Sequence, residues 1–381
     1  MNHPPFGLPL LLAAVVSALP AAGAPSARVL PPVPGTAAAA ALPPPADPDH
    51  FVFAVGGDNR AAGRGVPMPP TAARIFAELR LLQPAFILWT GDAIYGDDDT
   101  VGEARAEYAA FRAAAAVADA PLFNAPGNHE IFDRRDLEAI YEENIGPLYG
   151  SFDYGHSHFI ALDTEELGRP PGIGAAQREW LQADLEAHRT AANIVVFTHH
   201  PLFPAKASAG WADPANRDDI HRLFVTYGVK VVFSGHEHLF HESVHDGIRY
   251  VVTGGAGAPI DEAPERGGFE HYLLVTVNGG DLTMTVIEPW RLFVDVGPVR
   301  SDGSCTAQVV NYNPVALAVA VEFPTDALGP RTVAKASTTY KGHTEPLAAE
   351  IIPPRHPGTT RVTLTVPHSR AAEVVIGPGG P

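Results

Sequence analysis

One cysteine, Cys305, is the entire thiol content of 381 residues, so no intramolecular disulfide can form and stability has to come from a packed core and any bound ion. Basic residues are scarce as well: 26 Lys and Arg stand against 43 Asp and Glu, a formal net charge of −17. A field of that sign repels phosphate backbones and excludes a broad nucleic-acid surface. It still admits a small phosphorylated ligand, because cations held inside a site reverse the field there. Past the first twenty residues no apolar run reaches the ~20 that a membrane-crossing helix requires. Patterns of the type GxSxG, GxxxxGKS/T and CxxC are missing, which leaves a serine-hydrolase elbow, a P-loop and a cysteine zinc site without support.

What is present begins with Leu8 to Leu19 (LPLLLAAVVSAL), an apolar stretch followed by Ala22-Gly23-Ala24, a small-x-small pattern suited to signal peptidase. Residues 1–24 are read as an export signal, placing the protein in secreted, periplasmic or cell-envelope space. An uncleaved N-terminal anchor is the alternative, since no Lys or Arg precedes the apolar run. Pro and Ala dominate residues 25–48, a composition that favours an extended linker.

From His50 onward, short apolar runs alternate with helical periodicity: FVFAV at 51, FILW at 86, PLFNA at 121, HFIAL at 158, NIVVF at 193, VVFS at 231 and YVVTG at 250. Such runs suit strands buried on both faces with crossover helices between them, an α/β pattern. Thr71 to Gln83 carries Ile75, Leu79 and Leu82 on one stripe behind a Thr suited to an N-cap, and Ala175 to Arg189 and Asp218 to Tyr227 read similarly. LLVTV, Asn278-Gly279-Gly280-Asp281 and LTMTVI read as a hairpin. Beyond about Pro298, AQVVNY, ALAVAVEF, RVTLTV and AEVVI alternate with Pro and Gly turns. The expected organisation is a catalytic domain over 49–297 and a small β-sandwich over 298–381.

Five segments place metal-type ligands directly after these strands: GGD ending at Asp58, GDAIY with Asp92 and Tyr95, GNHE with Asn128 and His129, THHP with His199, and GHEH with His236 and His238. In open α/β sheets the carboxyl ends of strands gather distant residues on one rim. A lone Gly-Asp or Gly-Asn is usually a turn, and a lone His needs no explanation. Five in order, offering carboxylates, an amide and imidazoles, are not explained that way.

Order, spacing and neighbours over residues 50–290 resemble the calcineurin-like metallophosphoesterase superfamily, and the GDxxY form is similar to its purple acid phosphatase branch. The resemblance implies an α/β sandwich of two mixed sheets flanked by helices. It also implies a dinuclear phosphoesterase that hydrolyses phosphomonoesters by attack of a metal-bound hydroxide on phosphorus. By position, Asp58, Asp92, Tyr95 and His238 hold the first metal, Asn128, His199 and His236 the second, and Asp92 bridges. The resemblance further implies that His129 would contact phosphate, as would Asn128, and would protonate the leaving group.

Where many members carry a ligand His, this chain has Arg60, whose guanidinium offers no lone pair. The Tyr95 phenolate is the expected substitute and favours Fe(III), with Fe(II), Zn(II) or Mn(II) at the other position. Arg60 is assigned to substrate phosphate. A phosphodiesterase and a non-catalytic binding protein on the same fold are the alternatives, and the oligomeric state is left open. Glu130 and Asp97 to Asp99 read as solvated loop acids, while His271 and Gly254 to Gly257 are evenly weighed as pocket residues.

Overall fold

In the computed structural model, residues 28–37, 42–260, 262–324, 332–354 and 357–378 are described, and all seven apolar runs overlap strands. The export signal expected over residues 1–24 lies outside the described residues. Strands β1 (His50–Gly56), β2 (Ile87–Trp89) and β3 (Leu122–Asn124) run parallel. The expected hairpin forms as β10 (Tyr272–Asn278) and β11 (Asp281–Ile287), paired from Asn278 to Asp281 across Gly279-Gly280, and β10 joins β1 antiparallel.

A second mixed sheet has the order β4-β5-β6-β7-β9-β8. Its strands are β4 (Gly150–Tyr154), β5 (Ser157–Ala161), β6 (Asn193–Phe197), β7 (Val229–Ser234), β8 (Phe240–His245) and β9 (Ile248–Thr253). Its four inner strands are parallel. The two sheets share a core in which Phe53, Phe86, Phe123, Phe159, Phe197 and Phe233 are fully buried. Each such ring contributes about 1.5–3 kcal/mol of burial free energy.

Helices cover both outer faces. On the first sheet lie α1 (Pro70–Leu82), α2 (Val101–Ala115) and α4 (Arg135–Asn144), through Phe76, Leu79, Phe111 and Tyr141. On the second lie α5 (Ala175–Ala187) and α6 (Pro214–Tyr227), through Trp180, Leu181 and Phe224. The one-turn α3 (Asn128–Ile131) follows β3 at the rim. The stripe of Ile75 and Leu79 is buried as expected, whereas Thr71 is not the N-cap. The helix starts one residue earlier at Pro70, whose ring presets φ and brings no N–H to be capped, and Thr71 Oγ1 instead donates to Glu270 at 2.6 Å.

The C-terminal strands form two facing sheets. One joins β12 (Leu292–Val296), β13 (Cys305–Asn311), β19 (Arg370–Pro378), β15 (Thr332–Tyr340) and β16 (His343–Leu347). The other joins β14 (Leu317–Pro324), β18 (Thr359–Val366) and β17 (Ala349–Ile352). Because β12 pairs with β13, the change of sheet falls between Ile287 and Leu292, earlier than the boundary read at 297. Cys305 is buried in this sandwich. Helix α1 docks on it, with Arg80 paired to Glu322 at 2.6 Å and Arg361 donating to Gln83.

Within the Pro/Ala-rich stretch, residues 28–36 are a packed strap and not the free linker their composition suggested. Leu30 and Val33 are only 4% and 2% exposed, and their amides donate to Ser151 and Leu122 carbonyls at 2.9 and 2.7 Å. Two apolar side chains in a polar-poor stretch suffice to dock it, since proline's preset φ lowers the entropy lost on ordering.

Candidate metal centre

The strand ends of both sheets meet at one rim, and the backbone there is shaped for its side chains. Asp58, Asp92 and His236 all adopt left-handed conformations, with φ of 60°, 54° and 68°. Three non-glycine residues in this sparsely allowed region mark a site where the surroundings impose the geometry. Adjacent glycines make the approach feasible: a Cβ on Gly127 would stand 2.3 Å from Asp92 Oδ1, and one on Gly235 2.2 Å from Asp58 Oδ2.

Asp58, Asp92 and His238 gather their ligand atoms within 4.8 Å of one another. His238 gives its Nδ1 proton to the Pro259 carbonyl at 2.8 Å, which turns Nε2 toward Asp58 Oδ1 at 3.7 Å. Both carboxylates are buried. Burial and the neighbouring charge of Asp92 raise the Asp58 carboxyl well above its usual range. Burial also works against the charge on Asp92, but His199, His129 and Arg60 outweigh it and lower that carboxyl.

Beside this cluster lies a second one, of His199, His236 and Asn128. His199 donates from Nδ1 to the Thr90 carbonyl at 2.8 Å, so its Nε2 carries a lone pair. Asn128 Oδ1 lies 2.9 Å from that Nε2 and 3.0 Å from His236 Nδ1. The lone pair of His199 Nε2 therefore faces an Asn128 oxygen with no proton between them, an arrangement a cation relieves, and His236 Nδ1 points at the same oxygen. Asp92 Oδ1 reaches the same His199 nitrogen at 3.4 Å and so touches both clusters. Burial, with His200 and His199 nearby, drops His236 to about 2, and burial lowers His199, so both imidazoles are neutral at ordinary pH, the form able to ligate a cation.

His129 opens α3 beside Asn128. Its amide donates to Asp92 Oδ1 at 3.1 Å, and its Nδ1 donates to the Tyr95 carbonyl at 2.5 Å, leaving Nε2 as the working nitrogen. Arg60 stands with Nε 3.5 Å from Asp92 Oδ2, and that nitrogen is buried without a hydrogen-bond partner. Arg60, Asn128, His129, His236 and His238 line a cavity of about 260 Å³ together with Lys206.

Tyr95 was expected among the ligands of the first metal. Its phenol donates to Asp97 Oδ2 at 3.1 Å, and this hydrogen bond raises its pKa further from the phenolate form. The loop following Asp92 folds back on itself through Asp97 and Asp99, which accept from Tyr95 and Gly96.

Two acids hold the site and were underrated or passed over in the sequence. Glu130, read as a solvated loop charge, is fully buried and accepts from the amides of Asp92, Ala93 and Gly127 at 2.9, 2.7 and 3.0 Å. Burial and the charge of Asp92 push it up to about 8. Glu237, between the two histidines of GHEH, accepts from the amides of Ala205 and Lys206 at 2.8 and 2.7 Å and fixes that cavity wall. Their only signal was position: an acid next to a ligand in a strand-end motif has backbone amides within reach.

His200 lies against His236 with ring centroids 3.9 Å apart and tilted by 34°, its Nδ1 engages Glu165, and its ligand atom lies within 4.8 Å of those of His199 and His236. His271 does not reach the pocket, being fully buried with Nδ1 on the Phe269 carbonyl. In the Gly254 to Gly257 turn, the amides of Gly254 and Ala256 are taken by Leu239 and Gly57 carbonyls and are not offered to an anion.

A model of the calcineurin-like phosphoesterases matches residues 42–240. The serine/threonine-protein phosphatase CPPED1 of Homo sapiens is 29% identical over 156 residues, 38% of this chain and 50% of that protein. Purple acid phosphatase 23 of Arabidopsis thaliana is 28% identical over 134 residues, 32% of this chain and 29% of that one. The chain thus spans half or less of the length of these curated relatives. A dimetal phosphatase structure from Danio rerio aligns at a TM-score of 0.49 and 14% identity, covering 63% of this chain and 99% of that one.

Proposed function

Because this chain belongs to the calcineurin-like phosphoesterase family, we propose that it hydrolyses phosphomonoesters with two metal ions held side by side at the strand-end rim. The observation that carries this is the contact of Asp92 with both ligand clusters, toward Asp58 and His238 on one side and His199 on the other. Asp58, Asp92 and His238 would hold one ion, and Asn128, His199 and His236 the other, with Asp92 shared. Such a pair supplies an acidified water and charge neutralisation for the phosphoryl oxygens. With the Tyr95 hydroxyl engaged by Asp97, the donor set is carboxylate, amide and imidazole, which suits Mn(II), Zn(II) or Fe(II) and gives no particular preference for Fe(III).

The chain's own groups then divide the work. Arg60 lines the cavity with its Nε turned inward against Asp92, and it binds a phosphate oxygen, for which its fork is shaped. His129, fixed by the Tyr95 carbonyl, carries on Nε2 the proton that the departing alkoxide takes up. Asn128 orients through its amide oxygen. The stretch from Leu8 to Leu19 supports an exported enzyme. The test is paired: Asp92→Ala and His236→Ala are each expected to lose p-nitrophenyl phosphate hydrolysis and bound metal together. A fully active Asp92→Ala protein would end the proposal.

A further inference from the structure

Phe132 sits where a phenylalanine is out of place. It terminates α3, donating its amide to the Asn128 carbonyl at 2.8 Å, with φ of 46° in the left-handed region and 44% of its surface exposed. Glycine or asparagine normally occupies such a position, because a Cβ is strained there. The next residue, Asp133, is left-handed too (φ 53°) and is anchored by accepting the Gly168 amide at 2.6 Å. The fold thus holds an aromatic ring in solvent at the cost of both strain and apolar exposure. That ring lies 6.3 Å from the imidazole of His129, and the ring of Tyr95 lies 5.7 Å from the same imidazole.

His129 protonates the leaving oxygen in the phosphomonoesterase reading, so the carbon skeleton attached to that oxygen has to rest against whatever surrounds His129. Here two aromatic rings, tilted 37° and 46° to the imidazole, stand beside His129 just outside the residues that line the metal cavity. We infer that Phe132, with Tyr95, is the specificity-determining lip of the site, and that the preferred substrates are phosphomonoesters whose leaving group carries an aromatic ring. This rests on the phosphomonoesterase reading above. The chemistry balances without further reagents: water adds to phosphorus, the ester P–O bond breaks, the leaving oxygen takes its proton from His129, and the proton shed by the attacking water returns to His129, giving inorganic phosphate and an aryl-bearing alcohol. Edge and offset contacts with Phe132 and Tyr95 supply the selectivity.

The test compares benzyl phosphate with ethyl phosphate, both esters of primary alcohols, in the metal-loaded full chain. Phe132→Asn removes the ring while supplying a residue that tolerates the left-handed backbone. It is expected to lower the benzyl-to-ethyl ratio of kcat/KM about tenfold, mainly through KM for the benzyl ester, with the urea midpoint unchanged or raised. Phe132→Trp is expected to keep the ratio. An active Phe132→Asn enzyme with an unaltered ratio, or one that loses both esters equally, overturns the inference alone. Wild-type protein that hydrolyses neither ester overturns the phosphomonoesterase reading and this inference with it.

Discussion

The carboxylate of Glu130 accepts the backbone amide of Asp92 at 2.9 Å, and the same carboxylate accepts Ala93 and Gly127. One buried acid thereby joins the two loops that carry Asp92 and Asn128. Glu130→Gln replaces one acceptor oxygen by an NH₂ that faces other N–H groups, leaving buried donors unpaired at a cost of about 1–3 kcal/mol. The urea midpoint should fall accordingly, and phosphatase activity at least tenfold as Asp92 loses its setting. A Glu130→Gln protein matching wild type in both would show that the loops hold themselves.

Gly235 tests the close approach of backbone to ligand. A Cβ there would lie 2.2 Å from Asp58 Oδ2, with the Gly235 amide already bound to the His199 carbonyl at 3.0 Å, so the strand end has no room to move. Gly235→Ala should bind less metal by elemental analysis and turn over far more slowly, while far-ultraviolet circular dichroism stays native.

For Tyr95, the expected result is retention. Its hydroxyl serves Asp97, so Tyr95→Phe should keep the wild-type metal content, and the metal-loaded protein should lack a phenolate-to-Fe(III) absorption band. Loss of one metal equivalent in Tyr95→Phe would restore the phenolate to the ligand set.

His158, 1% exposed, lies between Asp153 at 2.7 Å and Asp184 at 2.8 Å and stacks on His188 at 3.7 Å. Burial opposes its charge, but the two carboxylates win and raise its pKa. The sign follows from linkage: a group with a raised folded pKa contributes stability that is complete below its unfolded value near 6.5 and is lost as pH rises through the folded value. Melting temperature should therefore drop for wild type between pH 6 and pH 9 by more than for His158→Gln. Parallel curves for the two proteins would mean that His158 folds neutral.

The strands and most of the rim were legible because both depend on local rules. Seven apolar runs had nowhere to go but a sheet buried on two sides, and Asp58, Asp92, Asn128, His199, His236 and His238 each followed one of them. What escaped was set by contacts distant in sequence. The direction of the Tyr95 hydroxyl depends on how its loop closes on Asp97, and the burial of Glu130 on amides it meets only after folding. The strap at residues 28–36 is docked by two residues in a stretch whose composition alone reads as linker. Strand β12 was not read from the sequence, and it pairs with β13 after a gap of only four residues from β11, so the boundary at 297 fell beyond it.

Anomalous diffraction from crystals of the metal-loaded protein addresses the shared role of Asp92 most directly. Two peaks about 3.5–4 Å apart are expected, one among Asp58, Asp92 and His238 and the other among Asn128, His199 and His236. A single peak, or metal bound elsewhere in an active crystal, would contradict a two-metal site bridged by Asp92.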